Sequence, residues 1–237
     1  MLPLTRFRKI VVLTGAGVSV ASGLRTYRGA GGLWTSGEES AVLATVEALA
    51  ARPGEVLALF AAMREAVRAA RPNAAHEALA AAERSASGRG ASFTLLTQNV
   101  DDLHRRAGSR DVVELHGNLL HSRCTRCDRA PFADASTSFE SCDACGGQLR
   151  PDVVLFGEHL SVDAERAAKH ALRGCDLFVA AGTSGSVSPA SNFVRSAAYE
   201  GAHTVLVNLE PIDPPNPAFR EVHLGPAEAL LPALFEA

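Results

Sequence analysis

Short apolar runs recur along the chain at intervals that suit buried strands. They occupy residues 10–13, 93–97, 176–181 and 204–208, and small or polar residues follow each run. Ala-rich stretches with helical character lie between them, at residues 76–86 and 163–172. Apolar strands that alternate with helices predict an α/β fold, a parallel sheet with helices on both faces. Ligands bind to such sheets beyond the carboxyl ends of the strands, so we expect the chemistry there.

Two segments interrupt this alternation. Residues 35–71 have a helical pattern, and residues 121–150 carry two pairs of cysteines. We predict that these insertions form one small helical and zinc-ribbon module. It would lie beside a discontinuous larger domain made of residues 1–34, 72–120 and 151–237. A cleft between two such units is a common place for a ligand.

The composition narrows the class of protein. The 237 residues are 47% hydrophobic and 21% charged, which is typical of a globular protein. A net charge of −3 gives no general attraction to nucleic acid or anionic membranes. The apolar run at residues 10–13 is shorter than the roughly 7–15 residues of a signal-peptide core. We therefore expect a cytoplasmic protein that binds neither a specific nucleic acid nor a membrane. The sequence does not determine the oligomeric state, for which a monomer is the expectation.

Four of the five cysteines form an array with the spacing of a zinc ribbon. They are Cys124, Cys127, Cys142 and Cys145, two C-x-x-C pairs. Four thiolates complete a tetrahedral Zn²⁺ site and leave no open position for substrate, so the predicted metal is structural. Two disulfides or free thiols are the alternative. Cys175 lies outside the array.

Small and polar residues follow the apolar runs. Gly15, Ala16, Gly17 and Ser19 come after the first run, where glycines let a backbone approach a pyrophosphate. A tight strand-to-helix turn explains the same residues, because Val20 occupies the third glycine position of the dinucleotide fingerprint. Gly182, Thr183 and Ser184 follow a later run and could bind a ribose or phosphate, or merely turn the chain.

Polar side chains with catalytic potential occur at two other places. Gln98, Asn99 and Asp101 follow the second run, where they either bind a ligand or cap a helix. His116 lies between Leu115 and Gly117, and a histidine with a pKa near neutrality suits general-base chemistry. A lone histidine is more often structural, so the surroundings of His116 decide its role.

The order of these motifs is similar to that of the sirtuin family. The chain contains, in succession, GAGVSVASG, TQNVDDLHRRAG, LHGN, two C-x-x-C pairs, FGE, GTSGSVSPA and NLE. The resemblance implies a Rossmann-like fold and NAD-dependent removal of acyl groups from protein lysines. It also implies one structural Zn²⁺, with acylated-lysine proteins or peptides as partners.

The resemblance further implies a reaction and a set of site residues. The acyl oxygen attacks the NAD ribose and expels nicotinamide, an imidate forms, and His116 then accepts a proton from the ribose hydroxyls. Deacylated lysine and O-acyl-ADP-ribose are the products, and Asn99 is the second catalytic residue. The implied NAD contacts are Gly15, Ala16, Gly17 and Ser19 at the pyrophosphate; Tyr27, Arg28 and Trp34 in the next loop; Gln98, Asn99 and Asp101 at the nicotinamide ribose; and Gly182, Thr183, Ser184, Asn208, Leu209, Glu210 and the backbone near Ala227 around the adenosine. Phe156, Gly157 and Glu158 would pair as a strand with the substrate peptide.

The sequence gives a less direct indication of which acyl groups the enzyme prefers. Arg25-Thr26-Tyr27-Arg28 resembles the bacterial and mitochondrial branch associated with acidic acyl groups, which reads succinyl-lysine with a Tyr-x-x-Arg pair. Here that pair aligns to Phe60 and Met63, so the resemblance implies neutral acyl groups. The alternative is that Phe60 and Met63 do not line a pocket and are ordinary core residues. An alignment slip of one residue would place Arg64 in the pocket, although a helix turns roughly 100° per residue and should direct it elsewhere.

Two other classes of function remain open at this stage. A zinc-ribbon nucleic-acid-binding protein would use Arg123, Arg126, Arg129 and Arg150, although aromatic residues for base stacking make up only 5% of the chain. A sirtuin-like protein ADP-ribosyltransferase would use the same NAD site. The presence of both Asn99 and His116 favours deacylation, and desuccinylase or demalonylase specificity is the alternative within that activity.

Overall fold

The computed structural model describes residues 2–26, 32, 42–134 and 136–235. Tyr27, Arg28 and Trp34, which the resemblance assigns to the NAD loop, lie outside these residues. Within the described ranges, no helix combines the length and the apolar character that crossing a membrane requires.

The described residues form two sheets and the helices that cover them. The strands are β1 (Lys9–Thr14), β2 (Ser92–Thr97), β3 (Val112–Glu114), β4 (Gly117–Cys124), β5 (Phe132–Ala133), β6 (Leu149–Val153), β7 (Leu177–Ala181), β8 (His203–Asn208) and β9 (Glu221–Leu224). The α-helices are α1 (Val46–Ala51), α2 (Pro53–Ala69), α3 (Ala74–Gly88), α4 (Leu103–Arg106), α5 (Val162–Leu172), α6 (Phe193–Tyr199) and α7 (Ala227–Phe235). A 3₁₀-helix, Ala16–Ser22, follows β1, and shorter ones span Leu4–Arg6 and Ala190–Asn192.

The larger sheet is parallel, with strand order β3-β2-β1-β7-β8-β9. The four predicted strands are confirmed as its inner members, and the short edge strands β3 and β9 were not predicted. The strand order reverses between the neighbouring strands β1 and β7, because the chain passes from β3 at one edge through the smaller sheet to β7 beside β1. In open parallel sheets this reversal opens a crevice at the carboxyl ends of the strands.

Alternate residues of the inner strands serve two separate apolar cores. Ile10 and Val12 of β1 pack on one face with residues of α3 and α7. Val11 and Leu13 pack on the other face with residues of α5 and α6. This two-residue period explains why the strands are apolar throughout, since both faces are buried. The predicted parallel sheet with helices on both faces is confirmed.

Side-chain caps fix where two of the covering helices begin. Asn73 accepts a hydrogen bond from the backbone N–H of Ala75, and His76 Nδ1 accepts one from the backbone N–H of Asn73. Ser161 caps α5 by accepting from the backbone N–H of Ala164. Such caps satisfy donors that the first helical turn leaves unpaired.

The smaller sheet is antiparallel, with strand order β5-β4-β6, and it carries the paired cysteines. Helices α1 and α2 cover it through a third apolar cluster, which includes Ala48, Val56 and Phe60. Strands β4 and β6 extend to Gly117 and Val153, beyond the predicted limits of residues 121 and 150. The division of the chain into domains stays a prediction.

Candidate functional site

The loops that follow β1 and β7 pack backbone against backbone at the crevice. Gly15 N–H donates to Ala181 O at 3.0 Å, and Gly17 N–H donates to Gly182 O at 2.9 Å. A Cβ on Gly17 would lie 2.7 Å from Gly182 Cα, and Gly182 itself has φ +60°. These glycines are therefore required by the packing of the protein on itself. The predicted contact of this turn with a pyrophosphate stays a prediction.

A buried hydrogen-bond network joins this turn to the residues that follow β2. Ser19 Oγ donates to Asp101 Oδ2 at 2.6 Å. Asn99 Nδ2 donates to Gly15 O at 3.1 Å and to Ser19 Oγ at 3.2 Å. Ser19, Asn99 and Asp101 are all buried, and burial raises the pKa of Asp101. The structure thus brings together two motifs that are about 80 residues apart in the sequence.

One atom of this network is left available for a ligand. Asn99 Oδ1 is buried and has no hydrogen-bond partner among the described residues, while Asn99 Nδ2 is fixed by Gly15 O. A buried acceptor without a donor is costly, so it is expected to have a partner in the functional state. A ligand with an amide N–H or a hydroxyl group fits this position, and both the carboxamide and the ribose of NAD carry such donors.

His116 is held by its backbone and by one ring nitrogen. Its Nδ1 lies 3.0 Å from Gln98 O, and its carbonyl oxygen accepts from Val154 N–H at 2.9 Å. Because a carbonyl oxygen only accepts, Nδ1 carries the proton and Nε2 has a free lone pair. Burial lowers the pKa of His116, and the hydrogen bond to Gln98 O acts in the opposite direction. The ring is therefore neutral near pH 7 and able to accept a proton at Nε2.

The residues predicted around the adenosine lie together beyond β7 and β8. Gln98 Nε2 donates to Thr183 Oγ1 at 3.0 Å, and Asn208 Nδ2 donates to the carbonyl oxygens of Thr183 and Glu210 at 3.1 Å each. Ser184 and Leu209 are exposed at the same edge. The Ala227 side chain packs in the core, so only its backbone is available to a ligand, and its contact with the adenosine stays a prediction.

The FGE segment is largely engaged with the protein itself. Phe156 N–H donates to Ala44 O at 2.9 Å, and Phe156 O accepts from Val46 N–H at 3.1 Å. The Glu158 carboxylate accepts from Leu155 N–H and from Arg150 Nη2. Among the described residues, the backbone N–H and C=O of Gly157 have no hydrogen-bond partner. The backbone groups of Gly157 are thus available to a peptide, and the predicted pairing of this segment with a substrate peptide stays a prediction.

Phe60 and Met63 belong to the apolar cluster between α2 and the smaller sheet. Phe60 is buried and Met63 half-buried, and the cluster also contains Val100 and Leu155. Arg64 follows Phe60 by four residues and Met63 by one, so it lies near the helix face of Phe60 but about 100° from Met63. Its guanidinium donates to carbonyl oxygens of β4 and of the segment after β5.

The four cysteines of the array converge on one point. Their sulfur atoms all lie within 4.8 Å of one another, with Cys124 Sγ 3.5 Å from Cys145 Sγ and Cys127 Sγ 3.8 Å from Cys142 Sγ. A tetrahedral site with Zn–S bonds of about 2.3 Å requires sulfur atoms about 3.8 Å apart. Hydrogen bonds from backbone N–H groups lower the pKa values of Cys124, Cys142 and Cys145. The pKa of Cys127 is raised instead, because the backbone hydrogen bond from Arg129, which lowers it, is outweighed by contacts with the thiols of Cys145 and Cys124. The array fits a structural Zn²⁺.

Cys175 does not belong to this group. It is buried in the apolar core beside the larger sheet, and burial raises the pKa of its thiol to about 11. All five cysteines are free of disulfides.

Sequence reasoning missed a second buried layer behind Ser19 and Asp101. The rings of His76 and His104 lie 4.7 Å apart, and Thr14 Oγ1 lies 2.9 Å from both Thr97 Oγ1 and His104 Nε2. Burial lowers the pKa of His76 to about 4, and that of His104 well below its usual range. The sequence signal was the capping pattern Asn73-x-x-His76, which marks where α3 begins.

The arginines near the ribbon are mostly paired with carboxylates. Ion pairs join Arg123 to Asp152, Arg129 to Asp143, and Arg150 to Glu158. These pairs neutralise the positive charge that a phosphate backbone would require, so the structure does not favour the nucleic-acid alternative.

Comparisons with known proteins agree with this geometry. The model of the Sir2 family matches residues 15–189. An NAD-dependent protein deacylase of Thermus thermophilus is 47% identical over 205 residues, which cover 86% of this chain and 80% of that protein. NAD-dependent protein deacylase 1 of Pseudomonas aeruginosa is 45% identical and covers 96% of this chain and 93% of its own.

Solved structures show the same fold. A complex of a Sir2 homologue with NAD has a TM-score of 0.89 and 38% identity, and covers 98% of this chain and 90% of that one. A complex of Sir2 with a p53 peptide and NAD⁺ has a TM-score of 0.79 and 29% identity, and covers 98% of this chain and 93% of that one.

Proposed function

This chain belongs to the Sir2 family and is an NAD-dependent protein-lysine deacylase, and we propose that His116 is the general base of its reaction. The observation that supports this role is the contact between His116 Nδ1 and Gln98 O at 3.0 Å. This contact fixes the tautomer, so that Nε2 is the proton acceptor. Burial lowers the pKa of the ring, so the acceptor is unprotonated at neutral pH.

The residues at the crevice would bind different parts of NAD. Bound NAD supplies an activated ribose carbon from which nicotinamide can leave. Gly15, Ala16, Gly17 and Ser19 would hold the pyrophosphate, while Gln98, Asn99 and Asp101 would hold the nicotinamide ribose. Asn99 Oδ1 would accept a hydrogen bond there, since it lacks one within the described residues. His116 Nε2 would take the proton of a ribose hydroxyl.

The substitution His116→Ala tests the assignment. A general base contributes typically about 10²–10⁴-fold to the rate, so we expect kcat/KM for an acetyl-lysine peptide to fall by that factor. NAD affinity, measured by calorimetry, and zinc content should stay close to those of the parent. His170→Ala is a matched control, because His170 is exposed on α5. Activity of His116→Ala within a few-fold of the parent would show that another group is the base.

The acyl preference follows from the surroundings of Phe60 and Met63. We propose that these residues line the acyl pocket and that the enzyme prefers acetyl and somewhat longer neutral acyl groups to succinyl. Both side chains lie in an apolar cluster, and the nearby Arg64 guanidinium is engaged by the smaller sheet. A succinyl carboxylate would therefore be buried without a positive partner, at an effective cost of several kcal/mol.

We also propose that the enzyme acts as a monomer in the cytoplasm on acylated-lysine proteins. Support for the compartment comes from the cysteines, since all five are free of disulfides and four of them converge as metal ligands. Such an arrangement suits a reducing environment.

A further inference from the structure

Arg64 connects α2 to the sheet that carries the cysteines. Its side chain is fully buried. Nε donates to Leu119 O at 2.8 Å, Nη1 to Ser136 O at 2.7 Å, and Nη2 to His121 O at 3.0 Å. The Asp134 carboxylate balances its charge, with Nη1 3.3 Å from Asp134 Oδ2. One helical side chain thus joins β4 to the segment that follows β5.

The acceptors on β4 come from an irregularity in that strand. The pairing of β4 with β6 shifts register between Asn118 and Ser122. A bulge of this kind leaves backbone groups without a ladder partner, and buried carbonyl groups need a donor. Leu119 O and His121 O lie within the irregular segment, and Arg64 supplies a donor to each of them.

A packed path continues from Arg64 to the metal ligands. The guanidinium carbon lies 4.5 Å from the centroid of the Phe139 ring. Phe139 packs against the cluster that contains Phe60 and Met63, and also against the cluster that contains Cys124 and Cys142. Phe139 is therefore shared between the proposed acyl pocket and the cysteine array.

We propose that Arg64 is a positioning residue for acyl-group selectivity, which couples the zinc-bearing sheet to the acyl pocket. By fixing α2 against β4, it sets where Phe60 and Met63, on the same helix face, meet the acyl chain. This inference rests on the proposed acyl pocket. A change at the zinc-bearing sheet would alter which acyl chains fit before it altered NAD binding, because the NAD residues lie on the loops of the larger sheet.

The variant Arg64→Lys probes this role while keeping the charge. Lysine would still balance Asp134, but its single nitrogen cannot reproduce the planar fork that reaches Leu119 O, Ser136 O and His121 O together. We expect α2 to lose its fixed position while zinc is retained. Arg68→Lys is a matched control, since Arg68 is exposed one turn further along α2.

The measurement is kcat/KM for acetyl-, butyryl- and octanoyl-lysine versions of one peptide, together with KM for NAD and zinc content. For Arg64→Lys we expect the ratios among the three substrates to change by about 2- to 30-fold, the range found for mutations within coupled packed networks. KM for NAD and the zinc content should stay within about twofold of the parent, and Arg68→Lys should leave every value unchanged. A parallel fall on all three substrates would show a purely structural role and overturn the proposal.

Two further variants keep the test decisive. If Arg64→Lys does not fold, Phe139→Leu interrupts the same path and should change the same ratios. Unchanged ratios in Phe139→Leu would then overturn the inference. Phe60→Leu tests the pocket itself. Ratios that change in Phe60→Leu but not in Arg64→Lys leave the acyl pocket intact and reject the role of Arg64. Ratios that change in neither variant reject the pocket as well.

Discussion

The larger sheet and the cysteine-bearing sheet are stabilised in different ways. Strand β1 buries Ile10, Val11 and Val12 completely, because helices cover both faces of the larger sheet. Beside the cysteines, the buried apolar cluster comprises Cys124, Cys142 and Leu149, with a few partly buried neighbours. Apolar burial stabilises the larger sheet by its area, and it also stabilises the end of the smaller sheet that packs against α1 and α2. The end that carries the cysteines depends instead on metal ligation, and the buried Arg64 joins α2 to β4.

The two proposed functions of the site, NAD binding and acyl-group recognition, fall in these two different regions. The proposed NAD residues lie on loops that follow strands of the larger sheet, whose inner strands are buried on both faces. The proposed acyl residues lie on α2, whose position is set by contacts with the smaller sheet. That sheet has little apolar core beside its cysteines. On the proposed assignments, a change in acyl preference is expected to leave NAD binding unchanged.

Removal of the metal is expected to have the largest effect. Structural Zn²⁺ contributes roughly 10–16 kcal/mol of binding free energy in small zinc domains, more than the cluster of Cys124, Cys142 and Leu149 could replace. Cys142→Ser or chelation should therefore unfold the cysteine-bearing segment between Cys124 and Leu149 and abolish deacylation, while β1 and β2 stay protected in hydrogen exchange. Metal analysis of the purified parent should give one zinc per chain.

Cys175→Ala is the control for this experiment. Cys175 lies in the core beside the larger sheet, so this variant should keep its zinc. Full activity in metal-free protein, or loss of zinc from Cys175→Ala but not from Cys142→Ser, would contradict the ligand set.

The acyl preference is expected to give the next largest effect. We expect kcat/KM for a succinyl-lysine peptide to be about 100-fold or more below that for the acetyl peptide, because the carboxylate would be buried unpaired. The double variant Phe60→Tyr, Met63→Arg should recover activity on the succinyl peptide. The comparison uses acetyl, butyryl and succinyl versions of one peptide.

A shifted variant tests whether position, and not charge alone, is responsible. Phe60→Tyr, Ala62→Arg adds the same groups, but position 62 is exposed on α2. This protein should gain little on the succinyl peptide. A parent enzyme that prefers the succinyl peptide, or a double variant that gains nothing, would reject the proposed pocket.

Local patterns in the sequence were sufficient for the larger sheet. Strands buried on both faces have continuous apolar runs, so β1, β2, β7 and β8 could be predicted from the sequence alone. Edge strands lack this signature. In β9, Glu221 and His223 alternate with the exposed Val222, and the four residues form a strand only because β8 offers a partner. The cysteine array was equally readable, because metal ligation requires a fixed spacing.

Contacts between distant residues could not be read in this way. The sequence indicates only that Arg64 points away from the acyl pocket unless the alignment slips by one residue, since nothing near it reveals that β4 is irregular 55 residues later. His76 and His104 likewise gave no sign that their rings meet behind Ser19. The Asn99 motif is recognisable in the sequence as a polar cluster, but the unpaired Oδ1 of Asn99 follows only from the positions of Gly15 and Ser19 in the fold.

Acid should weaken the larger sheet region through His76, with the smallest of the predicted effects. Burial lowers the pKa of His76 to about 4, below the value of about 6.5 in an unfolded chain. Between these values the unfolded chain binds more protons than the folded one. The free energy of unfolding is therefore highest above pH 6.5 and falls as the pH drops toward 4. His76 should therefore cost about 2 kcal/mol of unfolding free energy between pH 7 and pH 5. His104, also held neutral by burial, acts in the same direction.

Urea unfolding at pH 7 and pH 5 measures the combined effect of the two histidines on the free energy of unfolding. Hydrogen exchange in β1 and β2 shows whether the loss lies in the larger sheet, and zinc content is followed in parallel. His76→Gln should be less stable at pH 7 but should show a flatter pH dependence, whereas His170→Gln, on the exposed face of α5, should behave like the parent. An unchanged pH dependence in His76→Gln would show that the buried histidine pair does not set the acid sensitivity of this region.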